Sequence, residues 1–239
     1  MSQLDTVASI EQSVRVTCGE ICLQGDLVIP PGAHAVVLFA HGSGSGRLSS
    51  RNRFVAAELQ RAGMATLLFD LLTEEEDLID RRTARFRFDI GVLAERLVGA
   101  TDWVVAQPVL TGLAVGYYGA STGAAAALVA AAREGDRVGA IVCRGGRPDL
   151  AGDALSGVTA PTLLLVGGHD DAVIGLNELA LIRLTATMKE LVIIPGASHL
   201  FEEPGKLEEV ARLTARWFVR HLGVPMATTG RERSDDHHT

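Results

Sequence analysis

The sequence predicts an α/β fold: a mostly parallel sheet with helices on both faces. Three observations predict it. The runs HAVVLFA (34–40), MATLLFD (64–70), LAVGYYG (113–119), VGAIVC (138–143), PTLLLVG (161–167) and ELVIIPG (190–196) are continuously apolar, as strands buried on both faces are. Segments of helical spacing alternate with most of them. Ahead of them, SVRVTC (13–18) and ICLQGDLVIP (21–30) are separated only by Gly19-Glu20, a hairpin signal, so the sheet begins antiparallel.

Each helix has its own signature. SSRNRFVAAELQRAG (49–63) carries Phe54, Leu59 and Ala62 at helical spacing, with serine at its start and Gly63 at its end. LLTEEEDLIDRRTARFRFDI (71–90) is charged and irregular, with room for a short helix. DIGVLAERLVGATDWVVAQ (89–107) places Ile90, Leu93, Leu97 and Trp103 on one face. An alanine-rich helix follows Gly119, and further helices cover 173–185 and 206–223, the last closed by Gly223 and Pro225. Residues 1–222 therefore form one α/β domain, and 223–239 are expected to be a polar, flexible tail.

Composition narrows the function. The chain has 239 residues, 47% of them hydrophobic, enough for one large core. Its net charge of −7 argues against nucleic acid or an anionic membrane as the main partner. The N-terminus lacks the basic and apolar regions of a secretory signal, and no apolar run reaches the length of a membrane span. Three cysteines, Cys18, Cys22 and Cys143, cannot all pair, and two close together make no zinc site. The expectation is a cytoplasmic protein without metal or cofactor, acting on a small molecule, with a homodimer through an exposed sheet edge as an option.

In open parallel sheets ligands bind beyond the carboxyl ends of the strands. That rule selects His41-Gly42-Ser43, Asp70, Ser121, Arg144, His169-Asp170 and His199. Gly119-Ala120-Ser121-Thr122-Gly123 fits G-x-S-x-G between a strand and a helix, where a nucleophile sits on a strained turn and glycines two residues either side permit close approach. The competing reading makes Ser121 an ordinary N-cap of the alanine helix. A serine hydroxyl needs a base. His199, in PGASHLF after the last strand, is the best placed of seven histidines. Asp170 orients it, with Asp171 as rival, and the order Ser121, Asp170, His199 is that of an acyl-transfer triad. Oxyanion donors would be the amides of Thr122 and of Ser43, or less well Gly44, in HGSGSGR. The alternative use of that glycine loop, cradling phosphate, lacks a G-K-[ST] ending. His41 reads as a structural residue holding the loop.

HGSGSGR, GASTG, LLLVGGHDDAV and GASHLF together resemble the α/β-hydrolase fold, and more closely the dienelactone hydrolase-like group of small esterases, over about residues 13 to 222. The resemblance implies an eight-stranded sheet with the second strand antiparallel, no large lid, and a triad of Ser121, Asp170 and His199; matching on Gly167, Asp170 and Val173 favours Asp170 over Asp171. Dienelactone hydrolases proper use a cysteine nucleophile. Serine stands in its place here, which points to a serine carboxylesterase, and Cys143 ends a different strand and offers no substitute.

Residues 71–88 are too charged for an interfacial lipase lid, so the expected substrates are small soluble esters. Leu71, Leu72, Phe86 and Phe201 are candidates for an acyl pocket, or else ordinary core. Arg144, Arg147, Arg47 and Arg51 could grip an anionic substrate group, or else pair with acids such as Asp149 and Glu74 to Glu76. Thioesterase, amidase, acyltransferase and perhydrolase chemistry use the same triad, and a non-catalytic binding protein is the remaining class.

Overall fold

The computed structural model describes residues 8–223; the tail expected at 223–239 falls, apart from Gly223, outside them. In chain order the elements are β1 (Ile10–Cys18), β2 (Ile21–Ile29), β3 (Ala35–Ala40), α1 (Ser50–Arg61), β4 (Met64–Phe69), α2 (Glu74–Thr83), α3 (Ile90–Ala106), β5 (Ala114–Ala120), α4 (Thr122–Glu134), β6 (Val138–Arg144), β7 (Thr162–Gly167), α5 (Asp171–Arg183), β8 (Lys189–Ile194) and α6 (Lys206–Leu222). A run of 3-10 turns at Pro148–Gly157 joins β6 to β7, a segment without apolar periodicity to announce it.

The eight strands form one sheet in the order β1-β2-β4-β3-β5-β6-β7-β8. β2 is antiparallel to both neighbours and every later pairing is parallel. This is the α/β-hydrolase arrangement. β3 shows why its sequence is continuously apolar: Val36, Leu38 and Ala40 enter one core while Ala35, Val37 and Phe39 enter the other. α3 and α4 cover the first face, and α1 and α6 the second.

The alanine run of α4 answers a packing demand. Ala124 to Ala127, Leu128, Ala130 and Ala131 are all buried between the sheet, α3 and the 148–157 turns, so small side chains are needed on nearly every side. The short helix expected within the charged segment is α2. Its start is a capping box: Thr73 Oγ1 accepts from the Glu76 amide, and the Glu76 carboxylate accepts from the Thr73 amide. Thr73-x-x-Glu76 was visible in the sequence.

Among the described residues no helix is long and apolar enough to cross a membrane. Cys18, Cys22 and Cys143 are free thiols.

Candidate active site

Ser121 stands between β5 and α4 at φ 51°, ψ −120°, a strained backbone region for a residue with a Cβ. Its backbone is pinned: its amide donates to the Arg144 carbonyl, and its carbonyl accepts from the Ala124 and Arg147 amides, each at 3.1 Å. The flanking glycines are required. A Cβ on Gly119 would lie 2.5 Å from Ala124 Cα, and one on Gly123 would lie 2.1 Å from the Ala40 carbonyl oxygen. Although Ser121 occupies the N-cap position, its side chain makes no capping bond. The hydroxyl is left for something else.

Asp170 and His199 are brought together from the ends of β7 and β8. His199 Nδ1 lies 2.6 Å from Asp170 Oδ2. Asp171 is exposed in the first turn of α5, on the outside of this arrangement. Gly167 explains the approach of the two loops, since a Cβ there would meet the Ser198 carbonyl oxygen at 2.4 Å. Both oxygens of Glu203 accept from the Ser198 amide and steady the histidine loop. Gly145, at φ 52°, faces the His199 ring: a Cβ there would come within 3.4 Å of Nδ1 and Cε1. The turn 144–147 therefore touches Ser121 on one side and His199 on the other. Asn177 Nδ2, from α5, donates to the Gly146 carbonyl and braces this turn.

Ser43 and Thr122 are neighbours, with Oγ and Oγ1 3.1 Å apart. Ser43 lies in a turn closed by the Ser45 amide on the Gly42 carbonyl, with Gly44 at φ 66°. Gly42 must be glycine because a Cβ would come 3.0 Å from Ser121 Cβ. His41 holds the turn. Its Nε2 accepts from the Leu71 amide at 3.0 Å, so Nδ1 carries the proton and donates to the Gly42 carbonyl. Burial keeps the His41 pKa below its ordinary 6.5.

Arg47 is latched to Asp70, whose carboxylate accepts from the Arg47 amide at 2.7 Å and pairs with its guanidinium, and Gly46 leaves room for that carboxylate. Asp80, buried, accepts from the Phe86 and Arg87 amides and from Arg87 Nε at 2.7 to 2.9 Å. Desolvation would raise its pKa, but these bonds outweigh it and hold the carboxyl below 3.8. They fix the loop after α2, whose Arg87 carbonyl reaches the Ser43 hydroxyl.

Several expected substrate contacts are corrected. Arg147 is held bidentately by Asp149, Arg51 by Glu202 and Arg47 by Asp70, so these guanidiniums shape the rim. Leu71 and Phe201 are fully buried in opposite cores, because each follows directly on a strand or loop end that turns its side chain inward. Leu71, at its buried edge, and Leu72 both border a cleft of about 1180 Å³ beside Ser43, Thr122 and α2, so of the two expected contacts only Phe201 is set apart from it. Arg144 is buried and has no acidic partner among the described residues.

No family model matches the chain. A solved dienelactone hydrolase from Anabaena variabilis ATCC 29413 is 60% identical, with a TM-score of 0.88 over 90% of this chain and 100% of that one. The chain belongs to the dienelactone hydrolase-like family. Other solved structures share its fold at lower identity. The dienelactone hydrolase-like promiscuous phosphotriesterase P91 from metagenomic libraries is 20% identical, with TM-score 0.73 over 91% of this chain and all of that one. Est1E from Butyrivibrio proteoclasticus is 17% identical, with TM-score 0.74 over 89% and 99%. Two curated relatives of this dienelactone hydrolase-like chain, both from Mycobacterium tuberculosis and both named putative phosphoribosyl transferase, are 53% identical over 215 residues. That is 90% of this chain but 47% of each relative, so the chain spans about half their length.

Proposed function

We propose that the chain is a serine hydrolase cleaving carboxylic esters of small substrates through an acyl-enzyme. The observation that carries the reading is Ser121: a strained, glycine-caged serine whose hydroxyl does not cap the helix it begins, flanked by a turn that also holds the Asp170-paired His199. Strain of this kind persists where the surroundings over-determine it and clusters at reactive positions.

In this reading His199 takes the proton of Ser121 as Oγ attacks the ester carbonyl, and Asp170 fixes the imidazole with its proton on Nδ1 and stabilises the imidazolium. The amides of Thr122, at the first position of α4, and Ser43, in the turn beside it, receive the oxyanion. His199 then protonates the departing alcohol and activates water to release the acid. Because His199 serves the alcohol, the alcohol faces the 144–147 turn and the acyl group runs past Ser43 and Thr122 into the cleft beside α2. Thioesters and amides would enter the same site.

The test is direct. Wild-type protein should hydrolyse p-nitrophenyl acetate and be labelled at Ser121 by a fluorophosphonate, and Ser121→Ala should do neither. Full activity in the alanine protein would refute the assignment.

The name of the Mycobacterium relatives supplies a second reading, phosphoribosyl transfer. It applies to proteins more than half of which lies outside the match. The cleft here is lined by seven carboxylates against three guanidiniums, which disfavours a pyrophosphate substrate. Consumption of phosphoribosyl pyrophosphate by the purified chain would support this reading against the hydrolase.

A further inference from the structure

Arg144 is the last residue of β6, paired with Ala120, the residue before Ser121. It is 7% exposed. A guanidinium is always charged, and a buried charge is normally matched by a carboxylate. Arg144 forms no ion pair among the described residues, and its Nε is buried without a partner. Nor is it alone. The Tyr118 hydroxyl, on the same face of the sheet, is fully buried and has no polar side chain but Arg144 beside it, whereas Tyr117 on the opposite face bonds Thr101 at 2.6 Å. The two groups are close enough for Arg144 to oppose the rise that burial imposes on the Tyr118 pKa. The Arg144 guanidinium also lies over the Phe201 ring, 5.9 Å from its centroid, two residues beyond His199.

We propose that Arg144 and Tyr118 form a subsite for a singly charged oxyanion, a carboxylate before a phosphate, carried by the alcohol portion of the substrate. This rests on the hydrolase reading, which puts the alcohol on the His199 side. One guanidinium balances one negative charge, and Arg47, Arg51 and Arg147 are already committed to Asp70, Glu202 and Asp149. A carboxylate would accept from the guanidinium fork and from the tyrosine hydroxyl, satisfying donors that are otherwise buried without partners. The opposite side of Ser121 has the reverse character: the cleft that takes the acyl group is rich in carboxylates. The site therefore has a direction, with a neutral or cationic acyl group on the α2 side and an anionic alcohol on the Arg144 side.

The experiment compares 3-acetoxybenzoate with 3-acetoxybenzamide, which differ in charge on the leaving alcohol, and p-nitrophenyl hydrogen succinate with p-nitrophenyl butyrate, which differ on the acyl side. Wild type should prefer the acetoxybenzoate by about tenfold or more in kcat/KM, mainly through KM, the range expected of one charge-assisted bond. It should not prefer the succinate. Arg144→Met should bring the first ratio to near one, and Tyr118→Phe, a gentler change, should lower it part-way. Because Arg144→Met removes a buried side chain, its melting temperature and fluorophosphonate labelling are measured alongside.

A binding arm separates this proposal from the hydrolase reading. Calorimetry on Ser121→Ala protein should show 3-hydroxybenzoate binding and 3-hydroxybenzamide not, with the difference lost on adding Arg144→Met and reduced part-way on adding Tyr118→Phe. If wild type shows no preference for the anionic alcohol, or if Tyr118→Phe and Arg144→Met lower both acetoxy esters alike, the proposal fails. It fails also if free acetate or phosphate binds at Arg144 and changes the turnover of both esters equally, since the site would then hold a free anion.

Discussion

Replacing Ser121 by glycine should stabilise the protein, and by more than replacing it with alanine. The φ 51°, ψ −120° conformation is held by three backbone hydrogen bonds, to Arg144, Ala124 and Arg147, and alanine must adopt it as serine does. A non-glycine residue in such a region costs about 1–3 kcal/mol, and glycine relieves that cost. Against it stands the greater freedom of glycine in the unfolded chain, about 0.4–1 kcal/mol. Lost packing is small, because Ser121 is only half-buried and its side chain makes no capping bond. The difference leaves Ser121→Gly roughly 1 kcal/mol more stable than Ser121→Ala. For a domain of this size that is a rise of about 2–4 °C in melting temperature. Scanning calorimetry and urea unfolding of the two variants, both expected to be inactive, measure it. If the glycine variant is equal to or less stable than the alanine variant, the backbone at 121 is not strained and the argument from strain to function falls with it.

Gly123→Ala should cost more than about 3 kcal/mol or prevent folding, since its Cβ would meet the backbone oxygens of both Ala40 and His41, which β3 cannot move; urea unfolding reads this. Asp80→Asn should cost about 1–3 kcal/mol by weakening the bonds to Arg87, and should lower kcat/KM through the loop that touches Ser43. Because the Asp80 carboxyl is held below 3.8, its contribution is present above pH 3.8 and is lost as pH falls through its folded value, so wild type and Asp80→Asn should converge in stability at low pH. Asp170→Asn should reduce kcat by a factor on the order of 10⁴ with little change in stability, because the amide no longer fixes the tautomer of His199.

The strands were legible because a strand buried on both faces leaves a continuous apolar run, as in 35–40 and 162–167. The positions of Ser121, Asp170, His199, Ser43 and Thr122 were legible because strand ends define one edge of the sheet. What was not legible was pairing. Four arginines near that edge look alike in sequence, yet three are neutralised by Asp70, Glu202 and Asp149, residues up to 151 positions away, and one is not. Leu71 and Phe201 are apolar residues beside the site whose direction depends on which way the chain turns after the strand, a tertiary fact. The Asp80–Arg87 tie was missed for the same reason, although the capping box that starts its helix was readable. Tyr118 had no signal at all: only the structure separates it from Tyr117, by setting one hydroxyl against Thr101 and the other beside the buried Arg144.

The two halves of the site are held by different physics, and this bears on acid. The Ser121 half is fixed by backbone hydrogen bonds and glycine packing, which do not titrate. The Ser43 half depends on His41, whose neutral ring accepts from Leu71 and donates to Gly42. Protonated, it could no longer accept, and the Leu71 amide would face a donor. Because the folded pKa lies below 6.5, the ring binds its proton more readily when unfolded. Its contribution is complete above pH 6.5 and is lost as pH falls from there through the folded value, at no more than about 1.4 kcal/mol per pH unit for one proton. Nearby Asp70 works the other way, favouring the proton, but burial dominates. His41→Gln, which keeps an acceptor for Leu71 but does not titrate, should therefore have a shallower fall in stability below pH 6.5 than wild type. Parallel stability curves for the two proteins between pH 6.5 and 4.5 would refute a titrating role for His41 in holding the Ser43 turn.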